Sequence, residues 1–355
     1  MNKQNMGSNK KVLVLATSKH VRGGITSVVL AHSLCSFWNE FHIKWIETHS
    51  DKNCILKIWY AIKSFIQFIF IAPSYDLIHI HISEIPSALR KLPFFIVGKL
   101  YRKKIIIHFH SFSPQTTING HFKKLYFFLF KNADGVIALS SLWKRWIKEY
   151  LNLEKNIWII YNPSPSVNYK EVPKQPIVLY AGTINNRKGY ADLIKAFHTI
   201  SAQYPKWKVM FAGNGEINEG KALAQKLNIS DQIIFKGWVS GKEKEDIFNY
   251  ASIFCLPSYA EGFPTAITEA CAYRLPFITT PVGGIPDIIE NEKNGLLFTP
   301  GNIEELALQL EKLISDKALR DKLSQTSYQL GIREFSLEKV NQDITLLYNT
   351  ILKET

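Results

Sequence analysis

The feature that most constrains the fold of this chain is a repeated alternation of short apolar runs with longer amphipathic stretches. Six runs typical of buried strands lie in the first half, at residues 11–17, 42–48, 77–83, 104–110, 135–140 and 156–162. Five more lie in the second half, at residues 176–182, 208–213, 232–238, 252–258 and 276–280. Because strands that alternate with helical segments form parallel sheets, the pattern predicts an α/β protein with two doubly wound domains. Two such domains would face one cleft, with ligands at the carboxyl ends of the strands.

A polar stretch between the two halves is interpreted as an interdomain linker because it holds four prolines, Pro163, Pro165, Pro173 and Pro176. With 355 residues, 46% apolar and 21% charged, the chain has the size and composition of about two globular domains. We place the first domain at residues 1–165 and the second at 166–335. A C-terminal helix, at about 336–355, is expected to pack back on the first domain.

Cysteine usage and apolar runs bear on the cellular compartment. The four cysteines are scattered without a C-x-x-C pair, which indicates reduced thiols and argues against a disulfide framework or a zinc finger. The apolar run at 12–16 is too short for a signal peptide and is read as the first strand. The longest apolar stretch, residues 54–73, contains two lysines, a serine and a glutamine, so it is a poor candidate for crossing a bilayer but could lie along one. A cytoplasmic protein is expected.

Positive charge is concentrated in the first half of the chain. Residues 1–169 hold 22 Lys and Arg against 8 Asp and Glu, whereas the whole chain has a net charge of +13. Aromatic residues and lysines alternate in 90–104 and 121–132, which suits a peripheral position on an anionic membrane surface. A packed aromatic core with lysines in solvent is the alternative. Helix-turn-helix, zinc-finger and RNA-binding signatures are absent, so nucleic acid is not an expected partner.

Two carboxylates, Glu261 and Glu269, flank a Gly-Phe-Pro turn in the stretch EGFPTAITEA. Pro264 and Thr265 suit the first positions of a helix, so Glu261 lies in the loop before it and Glu269 one to two turns inside. Free N–H groups at a helix start attract phosphate, and carboxylates accept hydrogen bonds from hydroxyl groups. The combination favours a ligand with phosphates between polyols, such as a nucleotide-sugar. A solvated loop glutamate beside a helix-surface glutamate is the alternative.

Other candidate residues fall at the ends of predicted strands. The pair Gly23 and Gly24 follows the first strand and would let a diphosphate approach the backbone, although such pairs are often plain turns. Arg187 and Lys188 precede a helix in the second half, where cations would neutralise a leaving diphosphate, although such side chains are often solvated. A strand-turn at 211–216 would bring the backbone close to a base or ribose.

Two H-x-H pairs, His79/His81 and His108/His110, end consecutive strands. Because side chains alternate along a strand, both members of a pair lie on one face. A metal site would normally recruit carboxylates, and Glu84 is the only one close in sequence. Hydrogen-bonded histidines at strand ends are the alternative, and we expect no metal. His110, the last residue of its strand, is the best placed to reach a cleft.

Taken in order, several segments resemble the pattern of glycosyltransferase family 4. They are the early GG, HFHSFS, YAGTINNRKGYADLIKAF, FAGNGE, IFKGWVS, LPSYAEGFPTAITEACAYRLPFITTPVGGIPDII and NGLLF. The most specific element is the E-x7-E of Glu261 and Glu269. The resemblance implies the GT-B fold, in which two Rossmann-like domains bind the acceptor and the nucleotide-sugar donor respectively. It also implies retention of anomeric configuration and no metal or other cofactor, in agreement with the lack of a D-x-D stretch.

The resemblance assigns roles to individual residues. Glu269 would hold the ribose, Glu261 the hydroxyls of the transferred sugar, and Lys188, with Arg187, the diphosphate. His110 would contact the donor sugar near the reacting carbon. The remaining residues expected to line the donor or diphosphate are Gly23, Gly24, Gly182, Asn214, Gly215, Phe263, Pro264 and Thr265. There are two departures: Thr183 stands where family members often have Arg, and Pro264 where a second glycine is frequent.

The predicted function is therefore a retaining glycosyltransferase that moves a hexose-type sugar from a nucleotide donor, UDP by default, to a glycan or lipid-linked glycan in cell-surface polysaccharide synthesis. A nucleotide-sugar epimerase of the same fold is one alternative, since it would convert donor without an acceptor. A noncatalytic glycan-binding subunit is another. Cytoplasmic location, with peripheral association at the inner face of the membrane, is expected.

Overall fold

The computed structural model describes residues 10–50 and 54–353. The chain divides into two compact units, which are described separately. The first comprises Met1–Pro163 with Leu337–Thr355, and the second comprises Ser164–Ser336.

The first unit is built on a six-stranded parallel sheet with the order β2-β1-β3-β4-β5-β6. Its strands are β1 Val12–Ala16, β2 Lys44–Glu47, β3 Leu77–Ile82, β4 Lys104–Phe109, β5 Gly135–Ala138 and β6 Ile157–Ile159. Its helices are α1 Gly24–Ser33, α2 Ser36–Glu40, α3 Cys54–Ile71, α4 Ile85–Leu100, α5 Lys123–Asn132, α6 Ser141–Leu151 and α13 Leu337–Lys353.

Helices cover both faces of this sheet because its strands are apolar on both sides. Residues of α3, α4, α5 and α6 pack with Leu13, Leu15, Ile78 and Ile80 on one face. Residues of α1, α2 and α13 pack with Val12, Val14 and Leu77 on the other. Strands buried on two faces are typical of parallel sheets, whose crossover helices lie on either side.

The second unit repeats the arrangement, with the strand order β12-β11-β10-β7-β8-β9. Its strands are β7 Ile177–Ala181, β8 Lys208–Ala212, β9 Ile233–Gly237, β10 Ile253–Leu256, β11 Phe277–Thr279 and β12 Leu296–Leu297. Its helices are α7 Tyr190–Ser201, α8 Ile217–Lys226, α9 Gly241–Tyr250, α10 Thr265–Ala272, α11 Ile303–Ser315 and α12 Lys317–Phe335.

All eleven strands expected from the apolar runs are present, and each is up to four residues shorter than its run. The exception to the prediction is β12, which the sequence pattern misses. A two-residue strand has no periodicity, and β12 exists because Ile278 and Thr279 of β11 offer it a parallel partner.

The boundary between the two units, Pro163/Ser164, falls inside the proline-rich segment that the sequence predicts as a linker, and the residues after this boundary are bonded to the second unit. Ser164 donates from its N–H to the carbonyl of Phe335 at 2.7 Å and from its hydroxyl to the carbonyl of Thr268 at 2.8 Å. Farther along, Asn249 accepts from the N–H of Lys170 at 2.8 Å and donates to the carbonyl of Asn168 at 3.0 Å. These bonds fix the segment to the second unit, because polar backbone groups outside helices and strands are satisfied by whichever backbone or side-chain partners lie nearby.

Candidate functional site in the second unit

The loop after β10 carries Glu261, a carboxylate that is only 6% exposed. One carboxylate oxygen accepts hydrogen bonds from the Lys188 ammonium and from the Ser258 hydroxyl, the latter at 2.7 Å. Arg187 lies 3.8 Å from the other oxygen. A buried carboxylate is stable only when it is paired and hydrogen-bonded, so these groups explain how the charge is tolerated.

Arg187 and Lys188 lie on a 3-10 turn, residues 186–188, that follows β7. The side chain of Asn185 caps this turn by accepting from the N–H of Lys188 at 3.0 Å. Arg187 donates to the carbonyl of Ala260 at 2.6 Å, and its own carbonyl accepts from Tyr259 at 2.8 Å. The two loops are therefore joined by backbone and side-chain bonds, which holds both cations beside Glu261.

A third loop, after β11, packs against the backbone of the loop that carries Glu261. The N–H of Gly284 donates to the carbonyl of Gly262 at 2.8 Å. Gly283 has a φ of +58°, and a Cβ built on it would lie 1.8 Å from the Glu261 carbonyl oxygen. Only glycine allows both the left-handed conformation and this close approach. The Gly-Gly pair is thus a packing requirement of the Glu261 loop and more than an ordinary turn.

Helix α10 begins at Thr265, with Pro264 at its N-cap, as the sequence predicts. Within the described chain no side chain caps this helix start and its first turn has no acidic residue, so its N–H groups are suited to an anion. Glu269 lies one turn inside, and its carboxylate is 2.6 Å from the Lys244 ammonium of α9. Burial raises the pKa of Glu269 above its usual value, and Lys244 opposes that shift.

The loops after β7 and β8 bring three more predicted residues together. The N–H of Gly182 donates to Ala212 at 3.1 Å, and the N–H of Ile184 donates to the carbonyl of Asn214 at 2.8 Å. Gly215 has a φ of +135°, and a Cβ on it would lie 2.1 Å from the carbonyl oxygen of Ile184. The backbones of the two loops are in direct contact next to the 3-10 turn that carries Lys188.

Four histidine rings form a stack in the first unit. His79 and His81 lie on β3. His108 lies on β4 in register with His81, and His110 is the first residue after β4. Ring centroids are 4.6 Å apart for His79 and His81, 4.7 Å for His81 and His108, and 4.1 Å for His108 and His110. His81 and His110 share a hydrogen bond of 3.0 Å, and His79 bonds the Tyr348 hydroxyl at 2.6 Å.

Burial keeps these rings neutral. It lowers the pKa of His79 and of His110 to about 3, and that of His81 and His108 well below the usual value. Charged neighbours add to the effect, and among them is Lys91, whose own pKa burial lowers to about 7. A neutral His110 is able to donate a hydrogen bond to a ligand oxygen.

The hydrogen-bonded interpretation of the H-x-H pairs is correct for three rings and wrong for the fourth. Neither ring nitrogen of His108 has a partner among the described residues. One nitrogen each of His79, His81 and His108 lies within 4.8 Å of the others, a spacing compatible with a metal ion. The cluster includes no carboxylate, and the Lys91 ammonium donates to the carbonyl of His81 beside it. The positive charge of Lys91 therefore disfavours a divalent cation at these rings.

The predicted site residues therefore fall into two groups. Glu261, Arg187 and Lys188 are in direct contact in the second unit, with the other predicted donor residues on adjoining loops and on α10. Gly23 and Gly24 begin α1 after β1, and His110 follows β4, so these three lie at the carboxyl edge of the sheet in the first unit.

Two residues that the sequence reasoning misses belong to the site. Ser258 donates a hydrogen bond to Glu261 from three residues earlier in the chain. Its position just after β10, where ligand-binding residues gather, is a signal that could have identified it. Lys244 pairs with Glu269 from helix α9, whose sequence GKEKEDIFNY is typical of a charged surface helix. Nothing in that local pattern distinguishes Lys244 from its neighbours.

Two six-stranded parallel sheets, each flanked by helices and carrying its polar groups at the carboxyl edge, define the GT-B class of fold. The model of the glycosyltransferase family 4 matches residues 15–164, and that of the glycosyl transferases group 1 matches residues 166–330. The chain belongs to the family 4-like glycosyltransferases of group 1.

Curated relatives agree with this assignment. An uncharacterized glycosyltransferase of Haemophilus influenzae is 30% identical over 220 residues, which are 59% of this chain and 60% of that protein. The capsular polysaccharide biosynthesis glycosyltransferase CapM of Staphylococcus aureus is 29% identical over 183 residues, 50% of this chain and 47% of that protein. The matched part thus spans between about half and three fifths of these two relatives.

Among solved structures, HepE of Anabaena in complex with UDP-glucose superposes with a TM-score of 0.77 at 19% identity. The match covers 96% of this chain and 99% of that one. It establishes the fold over almost the whole chain.

Proposed function

We propose that this protein is a retaining glycosyltransferase that transfers a hexose-type sugar from UDP to a glycan or lipid-linked glycan. The observation that carries the proposal is the buried contact of Glu261 with Lys188 beside the uncapped start of α10. This arrangement offers a cation and free N–H groups for a diphosphate, and carboxylates for sugar and ribose hydroxyls. The crystal structure of HepE, a protein of the same fold, holds UDP-glucose, which supports UDP as the donor nucleotide.

The proposed reaction takes place on one face of the sugar. The bond between the anomeric carbon and the diphosphate oxygen breaks, and the electron pair leaves with the diphosphate. Lys188 and Arg187 stabilise the charge that develops there. The acceptor hydroxyl attacks from the face that the diphosphate leaves, and its proton passes to a departing phosphate oxygen. Glu261 holds Lys188 in position and accepts from sugar hydroxyls, and neutral His110 contacts the donor sugar.

The stereochemical claim is tested by NMR of the transfer product. Retention of the donor's anomeric configuration is expected, and inversion would exclude this mechanism. The same assay without an acceptor separates two other functions of this fold, because an epimerase would convert the donor and a noncatalytic subunit would leave it unchanged. Since the proposed stabilisation needs no metal ion, transfer should proceed unchanged in EDTA.

A membrane-linked acceptor is the finer part of the proposal. The match to CapM, named for capsular polysaccharide biosynthesis, supports a role in cell-surface glycans. On α5, the exposed lysines Lys123, Lys124 and Lys131 beside the exposed rings of Phe127 and Phe128 would bring the enzyme to anionic lipid headgroups on the cytoplasmic side, whereas Phe94 and Phe95 of α4 are buried in the core. The enzyme should cofractionate with membranes at low salt and do so less at high salt. A fully soluble enzyme at low salt would count against this part.

A further inference from the structure

Helix α3 has an apolar face that nothing in the described chain covers. Its side chains at Ile55 and Phe70 are each 78% exposed, and four large apolar residues between them are about half exposed or more: Ile58, Trp59, Ile62 and Ile66. These positions recur at intervals of three and four, so they form one stripe along the helix. Six large apolar side chains in one stripe exceed the scattered exposure normal for a soluble surface.

The opposite face of α3 is also apolar, and it is already occupied. Phe65 and Phe68 each lie 5.2 Å, between ring centroids, from Phe94 of α4. Phe68 is fully buried in the core of the first unit. By length and composition alone, the segment Ile55–Ser74 could cross a membrane. Its packing on the sheet argues against crossing, because a spanning position would remove Phe65 and Phe68 from that core.

Helix α4 extends the uncovered apolar surface. Its contacts with α3 place the two helices side by side on one face of the sheet. The exposed residues of α4 are apolar and again recur at intervals of three and four: Pro86, Leu89, Pro93, Ile96 and Leu100. We call the outward residues of α3 and α4 together the apolar face.

The charge around the apolar face is one-sided. Residues 54–134 contain eleven Lys and Arg against three acids, Asp76, Glu84 and Asp134. Asp134 pairs with Lys99 and Lys104, and Lys91 is buried, so the excess positive charge at the surface comes from the remaining cations. Lys63 extends over the ring of Trp59 at 4.5 Å, and Lys123, Lys124 and Lys131 are exposed on the neighbouring α5. An apolar stripe bordered by lysines complements an anionic bilayer, which offers acyl chains beneath negative headgroups. A second copy of this chain fits less well, since a symmetric contact would bring the same lysines together.

We propose that the apolar face of α3 and α4 is the surface on which this protein inserts into the headgroup region of an anionic bilayer. The helices lie in the plane of the membrane, with Trp59, Ile62 and Ile66 among the acyl chains and the lysines at the headgroups. This names the surface for the membrane association proposed above, although it requires neither a particular sugar nor transfer activity.

The position of a cavity agrees with this orientation. A cavity of about 850 Å³ lies between α3, β2 and the loop after β1. Its lining includes Trp59, Ile62 and Ile66 of the apolar face, and also polar residues, among them Lys19, Glu47 and Lys63. A bilayer on the apolar face would therefore lie against this cavity, since Trp59, Ile62 and Ile66 belong to both. An acceptor with an apolar anchor would reach the cavity without leaving the membrane.

The test is sedimentation of the full-length protein with vesicles of phosphatidylcholine alone and of phosphatidylcholine mixed equally with phosphatidylglycerol. Wild type should bind the mixed vesicles, and part of this binding should persist in high salt because burial of apolar side chains is not screened. The double variant Ile62→Asn/Ile66→Asn should partition about tenfold more weakly or worse and lose the salt-resistant part. Both side chains are exposed, so the variant should keep its melting temperature.

The matched control is Leu34→Asn/Leu346→Asn, which removes two exposed leucines, one directly after α1 and one in α13, on the opposite face of the same sheet. It should bind as wild type does. Brominated lipids should quench the fluorescence of wild type more than that of Trp59→Phe.

Equal binding by the α3 variant and wild type would overturn the proposal, as would a wild-type dimer that the variant dissociates. Stabilisation by UDP is measured on the same samples. Vesicle binding without a UDP response would contradict the proposed transferase alone. A UDP response without vesicle binding would contradict this inference and the membrane-linked acceptor, and it would leave the proposed nucleotide-sugar binding intact.

Discussion

The contact between Lys188 and Glu261 decides both the stability and the chemistry of the site at the scale of single residues. Lys188→Met would leave Glu261 buried without its nearest cation. Removing one partner of a buried pair costs about 3–5 kcal/mol in the free energy of unfolding, although Arg187 at 3.8 Å reduces the loss here. Replacing both partners, in Lys188→Met/Glu261→Gln, should restore most of the stability, because the neutral glutamine side chain would still accept from Ser258.

Urea denaturation of wild type, the single variant and the double variant measures this prediction. If the single and double variants unfolded at the same urea concentration, the two side chains would not depend on each other as described. Transfer activity should be lost in both variants, since both lack the cation that stabilises the leaving diphosphate.

His108 gives a second prediction at this scale, on pH. Burial lowers the pKa of His108 well below its usual value, and that of His79 to about 3, so between about pH 6.5 and pH 3 the unfolded chain binds protons that the folded chain does not. The free energy of unfolding must then fall as the pH falls, by up to about 1.4 kcal/mol per pH unit for each such histidine. His108→Leu removes a ring that has no hydrogen-bond partner within residues 10–50 and 54–353, and it should reduce this slope at little cost at pH 7.

Denaturant unfolding at several pH values between 7 and 5 measures the slope, with the exposed His121→Gln as the matched control in the same unit. A slope in His108→Leu equal to that of wild type would mean that His108 is not kept neutral by the fold.

At the scale of structural elements, the loop after β11 depends on one backbone position. Gly283→Ala would place a Cβ 1.8 Å from the carbonyl oxygen of Glu261 in a left-handed conformation, so the loop must move. Gly241 has a similar φ of +56° with open space around its Cβ position, so Gly241→Ala is a matched control for the conformational cost alone. That cost is about 1–2 kcal/mol.

Gly283→Ala should lower the free energy of unfolding by more than Gly241→Ala does, and it should also weaken UDP binding, measured by calorimetry. Equal effects of the two changes on both quantities would show that the close approach is unimportant.

The sequence predicts the strands and the start of α10 well because both are local features. Apolar runs bounded by polar residues define the strands, and Pro264 with Thr265 marks a helix start by chemistry alone. Pairings between distant residues are a different matter. The bond of Asn249 to the proline-rich segment, the ion pair of Lys244 with Glu269 and the stack of four histidines depend on sheet order and register. No spacing along the chain specifies these contacts.

At the scale of the whole molecule, the two units differ in charge and in the chemistry they carry. The first holds the whole net charge of +13, with 24 Lys and Arg against 11 Asp and Glu, together with the apolar face of α3 and α4 and the neutral histidine stack. The second is balanced, with 19 Lys and Arg against 19 Asp and Glu, and it holds Glu261 and Glu269, Arg187 and Lys188, and the uncapped start of α10. This division matches the proposed roles, in which one unit receives a membrane-linked acceptor and the other binds a nucleotide-sugar.

The central claim, that the second unit binds a nucleotide-sugar through α10, is tested most directly by thermal shift with UDP, GDP and ADP, each with and without EDTA. The proteins are wild type, Glu269→Ala and the control Glu304→Ala, which removes an exposed helix glutamate. A nucleotide at a hundred times its dissociation constant stabilises the fold by about 2.7 kcal/mol, a clear rise in melting temperature. We expect UDP to stabilise wild type and the control, regardless of EDTA, and Glu269→Ala to lose most of that response. No response of wild type to any nucleotide, or an equal response in Glu269→Ala, would contradict the account.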